Sequence, residues 1–194
     1  MIEKSVAISE ACLGLTNGRS HEAINLLKRE YPFLHHEATP RKCSPEQSTR
    51  VFVRDGFIDR YTSERLVFPL VLRVLSTEMP DDFPYHPNWK TGEMHPAYWE
   101  IRATIDHLIP VSKEGADDDS NWVTISMARN SAKGNWTLDQ LGWSLRAPGS
   151  FKEWDGLIYW FLEYTKERPT LIATPWMRQW HLASTTAVSG FNIV

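Results

Sequence analysis

Between residues 103 and 133 the alternation of apolar and polar positions predicts strand, loop, strand and helix in that order. In ATIDHLIPVS, residues 103–112, Thr104, Ile105, Leu108, Ile109 and Val111 are strand material flanking two polar side chains, Asp106 and His107. A turn-rich GADDDSN follows, and then WVTIS, residues 122–126, a second short β-rich run. Ser126 next stands as a helix N-cap, which places Asn130 in the first turns of the helix and Lys133 three residues on along the same face.

Away from this stretch the pattern is mostly helical. In SHEAINLLKREY, residues 20–31, Ile24, Leu27 and Tyr31 share one helical face, with Ser20 as N-cap and Pro32 as terminator. A helix before it reads as a packing partner more readily than as half of a helix-turn-helix. Residues 33–49 are polar and proline-punctuated and form a connector, whereas RVFVRDGFIDRYTSERLVF, residues 50–68, reads as strand, turn, strand. Residues 70–78 suit a short helix, and residues 80–96 hold too many Pro, Gly and Asp for either regular element. Trp154, Leu157, Ile158, Phe161 and Tyr164, then Trp176 and Trp180, recur at helical spacing and predict buried helix faces, with a fraying end over residues 184–194. The expectation is a single α+β domain: a helical N-terminal extension over 1–49, a core over 50–145 and C-terminal helices over 146–194.

Composition changes this picture little. The 194 residues are 42% hydrophobic and 23% charged, with no apolar run of membrane-spanning length and no charged-then-apolar leader, so a soluble cytoplasmic protein is expected. Cys12 and Cys43 lie far apart, outside any CxxC pair, and read as reduced thiols. A net charge of −3 argues against coating nucleic acid nonspecifically and requires any DNA contact to be local.

The chemistry turns on Asp106 and His107. Neighbours on a strand point to opposite faces, so the two share one site only at a bend or a strand end, and Pro110 supports such a break. Asn130 can bring an amide oxygen to a cation bound by the Asp106 carboxylate, a donor set that suits Mg2+, which keeps several waters. His35, His36, Cys43, His86 and His95 match no metal-binding spacing and read as structural.

In its order and elements, the series Asp106-His107, Asn121, Asn130 resembles the signature of the HNH endonucleases, the ββα-metal nuclease superfamily, in the form with Asn for the final His. The two asparagines fall 14 and 23 residues after His107, and NSAKGN, residues 130–135, resembles the family's N-x-x-K-x-N ending. The resemblance covers residues 50–136 and implies a ββα-metal core with an N-terminal hairpin and flanking N- and C-terminal helices.

It further implies a metal-dependent DNA endonuclease working by a one-metal mechanism. His107 would be the general base, Asp106 and Asn130 the holders of a divalent cation (Mg2+, with Mn2+ as a substitute), and Asn121 the tie for the loop that orients the histidine. Double-stranded DNA is the expected partner, a homodimer the simplest route to cutting both strands, and restriction or defence the expected role. Arg129 and Lys133 are candidate phosphate contacts, and Arg50, Arg54, Arg60 and Arg65 a candidate basic edge. Asp59 and Thr62 stand where many relatives carry zinc-knuckle cysteines, so structural zinc is not expected and packing through Phe57, Ile58, Tyr61 and Leu66 replaces it. The competing expectation is a noncatalytic DNA-binding module with the same fold.

Overall fold

A computed structural model of the protein describes residues 2–33 and 43–190. The chain divides into two compact units, Met1–Ala38 and Thr39–Val194. In the first, α1 (Lys4–Thr16) and α2 (Ser20–Glu30) pair across a turn in which Gly18 takes φ 71°. Their contact is made by small residues, Ala7, Ala11, Gly14 and Ala23, and a Cβ at Gly14 would lie 3.2 Å from that of Ala23. Ile24 and Tyr31, on the helical face expected to hold Leu27, are exposed, and Arg19 rather than Ser20 takes the N-cap position.

The second unit corrects the expected N-terminal hairpin over residues 50–68. Residues Pro45–Arg54 form a helix, α3, which also crosses the expected boundary at residue 49. Ser44 and Gln47 make a reciprocal capping box and Pro45 occupies the first turn, so a strong start signal overrides the strand-like run Val51-Phe52-Val53. Only a tight loop with one antiparallel bridge, Ile58 to Arg65, remains of the hairpin. The packing expected of that loop holds for Phe57, Tyr61 and Leu66, all buried, while Ile58 is half-buried.

Two strands form the sheet. β1 (Ala103–His107) runs antiparallel to β2 (Trp122–Ser126), with Ala103 opposite Ser126, Asp106 opposite Val123 and His107 opposite Trp122. The 54–60 segment covers the far edge of β2 in place of a third strand. Asp55 Oδ2 accepts from Thr124 N at 2.8 Å, Asp59 Oδ2 accepts from Ser126 N at 2.9 Å, and Arg60 N donates to Thr124 O at 2.9 Å. Both carboxylates are fully buried, which demands the full set of partners they find.

Helices complete the unit: α4 (Pro69–Glu78), α5 (Ala97–Glu100), α6 (Met127–Lys133), α7 (Leu138–Leu141), α8 (Ile158–Lys166) and α9 (Pro175–Ser189). The main core gathers Phe52, Phe57, Leu66, Phe68, Tyr98 and Phe161. α8 starts later than the aromatic spacing predicts, because Gly156 and Leu157 are left-handed at φ 63° and 65°. A Cβ at Gly156 would approach the Phe57 ring to 2.3 Å, so this turn requires glycine. Trp180, partly buried, stacks on Phe52 at 6.5 Å against the core, whereas Trp176 is exposed. Of the segment expected to fray, residues 184–189 are helical and 191–194 lie outside the described residues. No helix among the described residues is long and apolar enough to cross a membrane.

Candidate active site

β1, β2 and α6 form the expected ββα order, and their junctions explain the site. Ser126 ends β2 and caps α6, its Oγ accepting from Arg129 N at 3.3 Å. From α6, Asn130 donates Nδ2 to Ile105 O at 2.9 Å, and Lys133 donates Nζ to His107 O at 2.6 Å. Two residues three apart on one helical face thus fasten the helix to β1 at alternate carbonyls.

Asp106 points toward this helix. Its carboxylate accepts from Tyr61 Oη at 2.5 Å and forms an ion pair with Lys133 Nζ at 3.0 Å. Burial, then the charge of Asp106, pushes the Tyr61 phenol far above its ordinary range, so it is a committed proton donor. Lys133 is 0% exposed. It therefore does not reach the surface, and the phosphate contact expected of it is corrected to a buried counter-ion.

His107 projects to the other side of the strand, as alternation requires. Its Nε2 lies 2.7 Å from Asp117 Oδ1 and 2.9 Å from Trp122 Nε1, and Trp122 Nε1 is 3.1 Å from the same Asp117 oxygen. His107 also lines a cavity of about 250 Å3 with Cys43, Ser48, Phe52 and Trp180. Among the described residues no hydrogen bond or ion pair joins the side chains of Asp106, His107 and Asn130 to one another. Helix α6 links all three residues instead, through the β1 backbone and Lys133.

Asn121 sits at the foot of the loop between the strands. Its Oδ1 accepts from Ile109 N at 2.9 Å, and its Nδ2 donates to Ile109 O and Ala116 O, both at 2.8 Å. All its hydrogen bonds go to loop backbone, so the side chain ties the segment that follows His107 to the segment that precedes β2.

Asp106 and Asn130 offer hard oxygen donors. Asn130 uses Nδ2 on the strand, which leaves Oδ1 as an acceptor; a carboxylate and an amide oxygen are donor types a divalent cation takes, but among the described residues no group of three or more His, Cys, Asp or Glu side chains gathers to hold a metal ion. The Asp106 charge is already balanced by Lys133, which a cation bound there would have to displace or share.

The remaining candidates disperse. Arg50 pairs with Asp119 at 2.6 Å, Arg54 and Arg60 pair with Asp55, and Arg65 lies over Trp154, so the expected basic edge is replaced by internal pairing. Arg129, half-buried, lies 5.9 Å over Trp143. His95 stacks on Phe83 and His86 approaches Glu93, both structural, while His35 and His36 lie outside the described residues.

Tyr61, Asp117 and Trp122 escape a reading of the sequence motif. Only Trp122 carried a signal, since antiparallel pairing of the two predicted strands sets it opposite His107. No curated protein and no solved structure matches the chain. Residues 97–135, which hold β1, β2, α6 and the Asp106, His107, Asn121 and Asn130 series, match the family model of the HNH endonuclease.

Proposed function

We propose that the protein is a metal-dependent DNA endonuclease that hydrolyses phosphodiester bonds by a one-metal mechanism, with a restriction or defence role. The observation that carries this reading is the HNH match over residues 97–135, within which all four signature residues fall on the strand–loop–strand–helix order.

His107 accepts the proton of the attacking water, a task suited to a neutral imidazole. Asp106 and Asn130 would hold a divalent cation, Mg2+ or in its place Mn2+. Bound there, the cation supplies positive charge to offset what develops on the phosphate and leaving oxygens. Asn121 keeps the loop after His107 in place, and Arg129 contacts the phosphate backbone. Double-stranded DNA is the substrate, and a two-fold dimer would bring two such sites to opposite strands.

A noncatalytic DNA-binding module is the second reading, favoured by one observation: Lys133 and Tyr61 already satisfy the Asp106 carboxylate. Incubating supercoiled plasmid with the protein and Mg2+ or Mn2+ separates the two. The nuclease reading predicts nicked or linear products that vanish with His107→Ala. Retarded but intact plasmid with both proteins would favour the module.

A further inference from the structure

The Asp117 side chain lies on the loop between the strands, 36% exposed, yet its Oδ1 approaches the 10% exposed ring of His107 to 2.7 Å. With Trp122 Nε1 it closes a triangle whose other edges are 2.9 Å to His107 Nε2 and 3.1 Å to Asp117 Oδ1. The hydrogen inventory of that triangle decides the tautomer of the imidazole. An indole nitrogen only donates, and a carboxylate only accepts. Trp122 Nε1–H lies within donating reach of both His107 Nε2 and Asp117 Oδ1. With the carboxylate present, the arrangement in which His107 Nε2–H and Trp122 Nε1–H both donate to Asp117 Oδ1 avoids setting two bare acceptors 2.7 Å apart. Without the carboxylate, the indole N–H would have only the Nε2 lone pair to address, which forces the ring proton onto Nδ1.

We propose that Asp117 is a positioning residue for His107: it holds the ring proton on Nε2, so that the lone pair available to a water resides on Nδ1. No hydrogen bond to Nδ1 occurs among the described residues, so that atom is the one left for chemistry. Trp122 is 2% exposed and cannot swing away, so it opposes this tautomer whenever the carboxylate is absent. The role rests on the reading of His107 as the proton acceptor, but the tautomer itself does not.

The test is the imidazole 15N spectrum of His107, assigned by its loss in His107→Ala, recorded in the full-length protein and in Asp117→Ala. The wild type is expected to carry the proton on Nε2 and Asp117→Ala to carry it on Nδ1. In plasmid cleavage the same variant should lose roughly 10- to 100-fold in kcat with KM nearly unchanged, the scale of losing a group that orients another. An unchanged thermal midpoint is expected, because the Asp117 side chain is partly exposed, and it would show that the spectral change does not come from unfolding. A wild-type proton on Nδ1, or an Asp117→Ala spectrum still showing Nε2–H, would overturn the proposal. A wild type that never cuts DNA while its tautomer switches as stated would remove the nuclease reading and leave the orienting role of Asp117 standing.

Discussion

Asp106 shows how much a single side chain's partners decide. A buried carboxylate with one ammonium and one phenol around it is balanced in charge and hydrogen bonding, and breaking such an arrangement exposes the desolvation cost of what remains. Tyr61→Phe removes the phenol donor and should lower stability at pH 8 by about 1–3 kcal/mol, read from urea unfolding. Its pH dependence has a definite sign. The folded state holds the Tyr61 proton more tightly than the unfolded chain, whose tyrosines ionise near pH 10. The stability it contributes is therefore complete below about pH 10 and falls as pH rises beyond it. The gap between wild type and Tyr61→Phe should shrink between pH 8 and pH 11; a constant gap would show that the phenol is not held in this way. Asp106, His107, Asn121 and Asn130 stood out as candidates because their motif is local and ordered. Tyr61 did not, because it stands 45 residues from Asp106 and only the tertiary fold joins them.

Elements show a different boundary between what local sequence carries and what it does not. β1, β2 and α6 follow from alternation, a turn-rich loop and a serine cap, and each forms where expected. The failure lies at residues 50–68, where Val51, Phe52 and Val53 look like strand because they are β-branched or aromatic. The capping box at Ser44 outweighs them, and the interior supplies the apolar surface that lets them sit buried on a helix. With no strand there, β2 needs other acceptors, and Asp55 and Asp59 provide them. Asp59→Ala would strip the acceptor from Ser126 N and from Tyr61 N, which lies 2.9 Å from Asp59 Oδ1. It should cost about 1–3 kcal/mol for each buried donor left unpaired, measured as a lower urea midpoint. A midpoint within error of wild type would mean that the β2 edge is held by something else.

At the scale of the whole molecule, charge matters most. A net charge of −3 leaves no general attraction for DNA, and Arg50, Arg54 and Arg60 are paired internally with aspartates. The proposed DNA contact must then come from a local surface, for which Arg129 on α6 is the candidate. Every part of the proposed activity converges on whether Asp106 and Asn130 act as one cation site despite Lys133. The most direct test is the rate of plasmid cleavage as a function of Mg2+ concentration in wild type and Asn130→Ala. The proposed site predicts saturable dependence in the wild type and a half-saturating Mg2+ concentration at least about 10-fold higher in Asn130→Ala. Cleavage that persists in excess chelator, or an identical Mg2+ dependence in the two proteins, would contradict it.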